Sequence, residues 1–459
     1  MFVNRKYEIS FIKKVIRKPG FQLIPVWGRR RIGKTSLLTY TMGGDAFYFL
    51  ATESTSIVNL NRFREELSEY LDDEIVKDLE PDWEVLFKYL SKKDLVIIID
   101  EFPYLVSADE SIPSQFQRIV DLFLVDSSMK LFLCGSSVRM MESFVLDYKA
   151  PLYGRRTGQI KLKQLGFRDL KEFFPEYSIE DLVVVYGICG GIPMYLLQFD
   201  PSLSVMKNIE NVFLDPFSIM YEEERFLLKQ EFKNITMYRS ILFQLTSGRT
   251  KIGEVRESLQ LRKSDITPYL TNLRAVDFVD RIVPVTDDPS RSRAGIYKIS
   301  DNFLRFYYFF IYPRMGLIES RNIKGIVEFI EKNMDPFLGR PFEDIAKEIF
   351  DIWCQRNDKQ YEKVGTWWHG EEEIDLVGLN STKNEGICIE VKWSGKVRDV
   401  NDIKKLIEKK SNLRWGNEET RWSYIYISKG GFTRSCIEWM DDEKILHWDL
   451  NDIERILWD

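Results

Sequence analysis

A short run of residues near the start of this sequence has the types and spacing needed to hold a phosphate chain. It reads Gly28-Arg-Arg-Arg-Ile-Gly33-Lys34-Thr35, fits GxxxxGK(S/T), and follows an apolar run at 21–27. In such a loop the backbone N–H groups face a phosphate, the lysine reaches the β- and γ-phosphates, and the hydroxyl ligates Mg²⁺. The alternative, a glycine turn with a chance GKT, is minor. The pattern predicts an ATP·Mg²⁺ site in which Lys34 also takes part in catalysis. The residues predicted to contact the nucleotide are Gly28, Arg29, Arg30, Arg31, Ile32, Gly33, Lys34, Thr35 and Ser36.

A pair of carboxylates at the end of a second apolar run completes the predicted site. The run covers 95–100 and delivers Asp100 and Glu101. Sheets of α/β proteins bind their ligands at the carboxyl ends of strands. Asp100 would therefore hold Mg²⁺, directly or through water, and Glu101 would orient the water that attacks the γ-phosphate. Acidic residues also simply end strands, but that alternative is minor when both halves of the site are present.

Further polar residues are candidates for contacts to the γ-phosphate. Ser136 follows the apolar run 130–135 and would sense the γ-phosphate, or would serve as a strand-end cap. Arg155 and Arg156, in PLYGRRTG, would stabilise charge that develops on the γ-phosphate. For these two arginines a solvated basic turn is the alternative.

Carboxylates and a lysine with a different spacing occur in the last part of the chain. Glu343 lies in a predicted helix, Asp375 in a predicted strand, and Glu390-Val-Lys392 in the next predicted strand. Side chains alternate along a strand, so Glu390 and Lys392 share one face. Asp375 and Glu390 could then hold Mg²⁺ or Mn²⁺, with Glu343 as an accessory ligand and Lys392 beside the activated water. A chance match or a decayed site is the alternative.

The hydrophobic pattern predicts the elements that must position these residues. Apolar runs at 21–27, 45–51, 94–100 and 130–135 alternate with helical stretches, which predicts a parallel sheet covered on both faces. A mostly helical middle follows, and the α/β pattern then returns. The predicted domains are a nucleotide-binding core (1–165), a helical lid (166–236), a winged helix (237–300), an aromatic helical connector (301–334) and an α/β domain (335–459).

The predicted winged helix carries the residues that would contact DNA. Its hairpin pairs 281–286 with 295–300, and its recognition helix covers 264–276. A module that packs on the nucleotide-binding core and binds no DNA is the alternative, since acidic residues between 277 and 288 dilute the basic surface. The predicted phosphate contacts are Arg262, Lys263, Arg274, Arg291 and Arg293.

Composition argues against several classes of protein. The formal net charge is −6, so contact with nucleic acid would need a local basic surface. The first residues contain no apolar signal segment and the apolar runs are too short to span a bilayer, so no membrane partner is expected. The 5 cysteines are scattered without a CxxC pair, which favours a reduced cytoplasm and argues against zinc. A motor is disfavoured because no helicase motif follows Asp100 and Glu101.

Much of the chain before residue 330 resembles a known family. The resemblance is carried by FVNRKYEISFI (2–12), WGRRRIGKTSLL (27–38), FYFLA (47–51), IIIDEF (97–102), PLYGRRTGQIKL (151–162) and GGIPMYL (190–196). These segments are similar to archaeal ATPases of the STAND/AAA+ type, which are ATP-driven switch modules. The resemblance implies that 2–12 contacts the nucleotide base and that the Gly191-Ile192-Pro193 turn places a lid over the nucleotide. Without the family, this turn is a helix break.

The C-terminal carboxylates and lysine resemble the PD-(D/E)xK nuclease superfamily, and residues 301–314 resemble the start of the domain of unknown function that follows these ATPases. The prediction is an α/β protein with a P-loop NTPase parallel sheet, a helical lid, a winged helix and a C-terminal restriction-endonuclease-like domain. It would be an ATP-hydrolysing switch that controls a metal-dependent nuclease-like domain acting on DNA. The alternative is an ATP-controlled DNA-binding or scaffold protein with an inactive nuclease fold. Expected partners are ATP, DNA, and a second copy of the chain or a partner protein.

Overall fold

The computed structural model describes residues 2–261 and 263–459, apart from the side chains of 263–265. Two predicted DNA contacts, Arg262 and the side chain of Lys263, therefore lie outside the described residues. The chain forms two units. The first comprises Met1–Gln164, Ile192–Met194 and Lys229–Lys233, and the second comprises Leu165–Gly191, Tyr195–Leu228 and Asn234–Asp459.

A parallel five-stranded sheet forms the centre of the first unit. All residues of its strands at Gln22–Trp27 and Lys130–Gly135 are buried, as expected for apolar runs covered on both faces. The predicted strands are confirmed, and the short fifth strand leaves no hydrophobic pattern in the sequence. The strands are β1 (Gln22–Trp27), β2 (Phe47–Leu50), β3 (Val96–Asp100), β4 (Lys130–Gly135) and β5 (Ile160–Lys161). Within the sheet they lie in the order β2-β3-β4-β1-β5.

Helices connect the strands of the first unit. The second helix begins at Lys34, directly after Gly33, and the sixth begins directly after Glu101. Because the strands are parallel, the turn after β1, Asp100 at the end of β3 and Ser136 after β4 share one edge of the sheet. The helices are α1 (Lys6–Arg17), α2 (Lys34–Met42), α3 (Ser56–Leu71), α4 (Ile75–Asp78), α5 (Trp83–Leu90), α6 (Phe102–Ala108), α7 (Ile112–Ile119) and α8 (Val138–Met141).

The middle of the chain is mostly helical. Its helices are α9 (Leu170–Phe173), α10 (Ile179–Cys189), α11 (Pro193–Leu196), α12 (Val205–Phe213), α13 (Glu223–Glu231), α14 (Thr236–Thr246), α15 (Ile252–Ser258), α16 (Lys263–Ala275), α17 (Asn302–Phe306) and α18 (Met315–Glu319). The aromatic run continues after α17 as a π-helical turn, Tyr307–Ile311, most of which is buried. No helix in the described part of the chain is long and apolar enough to cross a membrane.

Helices α14, α15 and α16 are followed by a hairpin, which is the element order expected of a winged helix. The hairpin consists of β6 (Val279–Ile282) and the antiparallel β7 (Ile296–Ile299). Its first strand begins at Val279 rather than at 281, because Val279 pairs with Ile299 and both side chains are buried. The rest of the predicted first strand belongs to segment 283–295, which connects β6 to β7. We call this segment the wing.

A second five-stranded sheet, in the order β12-β11-β10-β9-β8, forms the C-terminal end. Strands β8 to β10 are antiparallel and β10 to β12 are parallel. The strands predicted to carry Asp375 and Glu390-Val-Lys392 are confirmed, whereas β8 and β12 were not predicted. The strands are β8 (Lys363–His369), β9 (Glu372–Asn380), β10 (Glu385–Lys392), β11 (Arg421–Ser428) and β12 (Leu446–Trp448).

One long helix precedes this sheet. It continues through Pro336 and Pro341, so the predicted domain boundary between residues 334 and 335 lies inside a helix. The apolar runs of this part of the chain pack into one core with the wing residue Val285. The helices are α19 (Lys324–Arg356), α20 (Val400–Ser411), α21 (Arg434–Asp442) and α22 (Leu450–Trp458).

Candidate functional site

The turn between β1 and α2 has backbone angles that favour glycine. Gly28 has a φ of 149°, and a Cβ at this position would lie 2.4 Å from the carbonyl oxygen of Leu162. Gly33, the residue before α2, has a φ of 94°. Any other residue would meet the Leu162 backbone at the first position and be strained at the second. The glycines therefore shape a turn at a helix N-terminus, where phosphate groups bind.

Lys34 begins α2 with its side chain folded back over this turn. Its Nζ donates hydrogen bonds to the carbonyl oxygens of Gly28 at 2.9 Å and Arg29 at 3.0 Å. Burial lowers the pKa of the ammonium, while the nearby charges of Glu101 and Asp100 act in the opposite direction. The cation thus lies inside the turn, where phosphate oxygens can replace the carbonyl oxygens as acceptors.

Asp100 connects the end of β3 to the start of α2. Its Oδ2 accepts hydrogen bonds from Thr35 Oγ1 at 2.5 Å and from Tyr48 OH at 2.8 Å. Its Oδ1 accepts one from the backbone N–H of Glu101 at 2.8 Å. Oxygen atoms are the ligands that Mg²⁺ prefers. The structure therefore brings together the two predicted Mg²⁺ ligands of this site, Thr35 and Asp100.

Glu101 forms a hydrogen-bonded pair with Ser136. Ser136 donates from Oγ to Glu101 Oε1 at 2.6 Å and from its backbone N–H to Oε2 at 3.3 Å. Gln230 Nε2 donates to the same Oγ at 2.8 Å. Glu101 has a φ of 52°, in the left-handed region that occurs often at functional sites. The predicted water-orienting carboxylate and the predicted γ-phosphate sensor are therefore in direct contact.

Sequence reasoning missed three residues of this site: Tyr48, Gln230 and Glu231. Burial and the Asp100 carboxylate raise the pKa of Tyr48, so its phenol stays protonated and donates. Glu231 accepts hydrogen bonds from Ser137 Oγ at 3.1 Å and the Val138 N–H at 3.3 Å, and burial raises the pKa of its carboxyl. Gln230 and Ser136 are separated by 94 positions, so no local pattern indicates their contact.

The remaining predicted contacts surround the loop. Arg5 Nη2 donates to the Ile32 carbonyl oxygen at 3.3 Å, so the segment 2–12 reaches the loop. Arg31 Nη1 lies 3.6 Å from Met194 Sδ, next to Pro193, which begins α11. The exposed residues of the loop and of the first helical turn are Arg30, Thr35 and Ser36.

Arg155 and Arg156 have partners of their own. Arg155 forms two hydrogen bonds with Asp121, from Nε to Oδ1 at 3.0 Å and from Nη2 to Oδ2 at 2.9 Å. Arg156 donates to Gln159, and its guanidinium lies 4.5 Å from the centre of the Tyr153 ring. Among the described contacts of these arginines, none is with the loop 28–35. Their predicted role would therefore require a rearrangement or a second copy of the chain.

The predicted C-terminal residues Asp375, Glu390 and Lys392 lie together. Lys392 Nζ is 3.1 Å from Asp375 Oδ2 and 2.8 Å from Glu390 Oε1. The backbone N–H of Val391 donates to the same Asp375 oxygen at 2.7 Å. Burial and the neighbouring Glu390 raise the pKa of Asp375. Burial lowers the pKa of Lys392, but the two carboxylates raise it by more, so its net shift is upward. The lysine thus bridges two largely buried carboxylates.

Two further residues border this group. Lys409 Nζ is 2.7 Å from Glu390 Oε1, whereas the buried Glu390 Oε2 has no hydrogen-bond partner. Glu343 of α19 accepts from Arg340 Nη1 at 2.7 Å, and burial raises its pKa to about 6 against the lowering effect of Arg340. Within the described residues, no group of three or more His, Cys, Asp or Glu side chains is arranged to hold a metal ion.

Comparison with known proteins defines the family. Residues 2–199 match a family described as ATPase domains predominantly from Archaea. An uncharacterized protein of Methanocaldococcus jannaschii is 39% identical over 462 residues, which cover 98% of this chain and 100% of that protein. The chain belongs to this archaeal ATPase family. The predicted membership in an archaeal ATPase family is confirmed.

Two other similarities concern parts of this chain. Residues 307–404 match a family of archaeal and bacterial proteins of unknown function. A Walker-type ATPase of Pyrococcus abyssi aligns with a TM-score of 0.51 and 19% identity, over 67% of this chain and 96% of that one. At this identity the likeness concerns the fold, which is that of a P-loop ATPase with a parallel sheet.

The raised pKa of Glu343 predicts that the stability of the protein depends on pH. Between the ordinary pKa of 4.5 and about 6, the unfolded chain releases this proton while the folded chain retains it. Stability is therefore lost as pH rises through this window, by about 2 kcal/mol. Glu343→Gln keeps an acceptor for Arg340 without the charge. Above about pH 6, the free energy of unfolding of Glu343→Gln should exceed that of the wild type by about 2 kcal/mol. Below pH 4.5 the two proteins should have equal free energies of unfolding.

Urea unfolding of the full chain at several pH values, without metal ions, measures this difference. Glu418→Gln, a change at an exposed position of the same unit, is the matched control. A difference between Glu343→Gln and the wild type that is constant across the pH range would contradict the prediction.

Proposed function

We propose that this protein is an ATP-hydrolysing switch whose nucleotide site consists of the loop 28–35 with Asp100 and Glu101. The observation that carries the proposal is the hydrogen bond of 2.5 Å between Thr35 Oγ1 and Asp100 Oδ2. It joins the hydroxyl at the start of α2 to the carboxylate at the end of β3, the positions from which P-loop proteins hold Mg²⁺. Both ligands are oxygen atoms, so the residues present fit this hard cation. When bound, Mg²⁺ supplies charge neutralisation to the phosphates.

The protein's own residues would divide the work of hydrolysis. Lys34 would exchange its two carbonyl acceptors for oxygens of the β- and γ-phosphates. Glu101 would orient the attacking water through a lone pair of its carboxylate that Ser136 does not use. Ser136 would turn its hydroxyl from Glu101 to the γ-phosphate when ATP is bound. The Glu101–Ser136 pair thus supports a resting arrangement that ATP would change.

The proposal that ATP switches the protein is also supported by helix α13, whose residues are divided between the two units. The last residues of α13 belong to the first unit, and its earlier residues belong to the second. Gln230 and Glu231, at the end of this helix, contact Ser136 and Ser137. A change at Ser136 on ATP binding would therefore act on α13. The test is release of phosphate from ATP by the purified full chain with Mg²⁺, together with limited proteolysis in the presence of ADP and of a non-hydrolysable ATP analogue.

For the C-terminal domain we infer a metal-dependent nuclease-like activity on DNA. Asp375 and Glu390 share Lys392, and Glu390 Oε2 is buried without a partner, which leaves an oxygen ligand available. The hard cations Mg²⁺ and Mn²⁺ would suit the oxygens of this pair of carboxylates. Glu343 would be an accessory ligand, although with the pair it forms no ready metal-binding group in the described structure. In hydrolysis of a phosphodiester, the oxygen of water would bond to phosphorus, the bond to the leaving sugar oxygen would break, and that oxygen would take a proton. Lys392 would stabilise the water in its deprotonated form.

A second candidate is an ATP-controlled DNA-binding or scaffold protein with an inactive nuclease fold. The observation that favours it is that Lys392 and Lys409 already pair with the two carboxylates. In this case the wing and α16, with Arg274, would supply the DNA contacts, or a partner protein would bind instead. Cleavage assays on single-stranded and plasmid DNA, with Mn²⁺ and ATP, separate the two candidates. Cleavage that requires both Mn²⁺ and Lys392 supports the nuclease.

A role for Arg155 or Arg156 in a second copy of the chain predicts cooperation between protomers. ATP hydrolysis per protomer should rise with protein concentration, because each site would need an arginine from its neighbour. Mixing Arg155→Ala or Arg156→Ala protein with Lys34→Ala protein should restore activity, since some mixed pairs contain one complete site. The measurement is phosphate release over a dilution series and for equimolar mixtures.

Arg118→Ala is the matched control, because Arg118 is another surface arginine of the first unit and pairs with Glu84 at 2.8 Å. Its hydrolysis rate should equal that of the wild type. Hydrolysis that is independent of concentration, with no recovery on mixing, would contradict a role in trans and leave a role in cis or none.

A further inference from the structure

Two lysines are the more accessible part of the C-terminal group that contains Asp375 and Glu390. The side chains of Lys392 and Lys409 are 35% and 26% exposed, whereas those of Asp375 and Glu390 are 10% and 6% exposed. Lys392 follows Glu390 on the same face of β10, and Lys409 lies in the last turn of α20. An anion from solvent can therefore reach the ammonium groups, while the carboxylates are mostly shielded.

Both lysines pair with the same oxygen of Glu390. Glu390 Oε1 lies 2.8 Å from Lys392 Nζ and 2.7 Å from Lys409 Nζ. Lys392 Nζ also lies 3.1 Å from Asp375 Oδ2. The two ammonium groups and the two carboxylates together carry no net charge, so they exert little net attraction on a divalent cation. A cation that bound to Glu390 Oε1 would also have to replace an ammonium group at that oxygen.

Helix α20 is held in place by contacts other than the Lys409 ion pair. Ile403 and Leu406 are buried in the core of the C-terminal sheet. Asn412, directly after the helix, donates from Nδ2 to Glu372 Oε2 at 2.7 Å. A lysine side chain is a charged group on a flexible apolar stem. The Lys409 ammonium can therefore turn from its carboxylate to another anion while the helix stays in position.

A phosphodiester has the chemistry to separate these ion pairs. Its phosphate is an anion, and lysine binds phosphate as a point charge. When both ammonium groups turn to the phosphate, Glu390 Oε1 becomes available beside Oε2, which is buried without a hydrogen-bond partner. Hard cations such as Mg²⁺ are usually held by one or two carboxylates together with phosphate oxygens of the substrate. The phosphodiester would thus release a carboxylate oxygen and also supply further oxygen ligands.

We propose that the C-terminal site binds its divalent cation together with a phosphodiester, and that Lys409 links the two binding events. This inference rests on the proposed nuclease-like function and states how the substrate controls metal binding at that site. Lys409 exchanges Glu390 for the phosphate when the phosphodiester binds, and the freed oxygen then accepts the cation. By linkage, the cation and the phosphodiester strengthen each other's binding by the same factor. The ion pairs of Lys392 and Lys409 are then the state of the site before substrate binds.

Metal binding measured with and without a phosphodiester tests the proposal. The full chain is titrated with Mn²⁺, alone and with a thymidine dinucleotide, while electron paramagnetic resonance measures free Mn²⁺. The Asp375→Ala chain is the blank for Mn²⁺ that is bound elsewhere. We expect the dinucleotide to raise the affinity for Mn²⁺ about tenfold, a size usual for coupled ligands. The same dinucleotide with a methylphosphonate linkage is uncharged and should leave the affinity unchanged.

Substitutions at Lys409 test its part in the coupling. Lys409→Met removes the ammonium and keeps an unbranched apolar stem. Without the dinucleotide it should bind Mn²⁺ about tenfold more tightly than the wild type, and the dinucleotide should raise this affinity by less. Lys409→Arg keeps the charge and should retain the effect of the dinucleotide. Lys405→Met, the same change at an exposed lysine of α20, is the matched control and should resemble the wild type.

Mn²⁺ affinities that depend neither on the dinucleotide nor on Lys409 would overturn the proposal and keep the metal site. A dinucleotide effect that persists at full size in Lys409→Met would overturn the role of Lys409. If circular dichroism showed that Lys409→Met does not fold, the charged and uncharged dinucleotides would still decide the coupling in the wild type.

The same measurements separate this proposal from the nuclease-like function. Coupled binding of Mn²⁺ and the dinucleotide, without cleavage of any DNA, would keep the coupling and overturn the nuclease. No Mn²⁺ bound above the Asp375→Ala blank under any condition, and no cleavage of DNA, would overturn both.

Discussion

Lys34→Ala should abolish ATP hydrolysis and weaken ATP binding, whereas Glu101→Gln should keep binding and lose turnover. Lys34 places its ammonium inside the turn, so its removal takes away the charge that would bridge the β- and γ-phosphates. Glu101→Gln keeps an acceptor for Ser136 but lacks the negative charge that would orient the water. We expect turnover to fall by about a hundredfold or more in each variant.

Phosphate release measures turnover, and titration with a fluorescent ATP analogue measures binding. Lys13→Ala removes an exposed lysine from α1 of the same unit and should leave both quantities at their wild-type values. A Glu101→Gln protein that hydrolyses ATP at the normal rate would show that another group orients the water. Unchanged hydrolysis in Lys34→Ala would remove the basis for the whole nucleotide site.

Asp375→Ala should abolish the binding of Mn²⁺ at the C-terminal site and reduce DNA cleavage more than about a hundredfold. The carboxylate is one of two that pair with Lys392. Its removal leaves Glu390, already paired with Lys409, and the accessory Glu343, which are too few oxygen ligands for a hard cation. Calorimetric titration of the full chain with Mn²⁺, without nucleotide, measures the loss.

Glu418→Ala, at an exposed position of the same unit, should bind Mn²⁺ and cleave DNA as the wild type does. Circular dichroism of Asp375→Ala and Asp375→Asn would establish that both remain folded. A wild-type chain that gives no heat with Mn²⁺ and cleaves no DNA in the presence of ATP would leave the inactive nuclease fold as the explanation of these residues.

The fold of the first unit was predictable because its signals are local. Strands β1 to β4 are continuous apolar runs, and such runs predict a parallel sheet with buried faces. Gly28 is needed because a Cβ there would meet the Leu162 carbonyl oxygen, and Gly33 is needed because its positive φ would strain any other residue. Asp100 and Glu101 directly follow an apolar run, so their place at the sheet edge follows from the strand that carries them.

The C-terminal carboxylates were predictable for a similar reason. Period-two alternation puts Glu390 and Lys392 on one face of β10. The pairing of Ile389 with Leu376 in the antiparallel β9–β10 ladder then brings Asp375 beside them. The strand pattern alone could not indicate β8, which forms the edge of the sheet and supports the wing, nor that α19 continues through Pro336 and Pro341.

The sequence by itself therefore determined which residues form the loop, which carboxylates end β3, and which face of β10 carries Glu390 and Lys392. Only the tertiary structure decided what these groups contact. Strand order puts β4 beside β3, which joins Ser136 to Glu101, and Gln230 reaches the same serine from 94 positions away. Likewise, the wing meets β8 through Val285, far from it in sequence. Local periodicity specifies the face on which a side chain lies, whereas its neighbours depend on the packing of segments that the sequence does not place side by side.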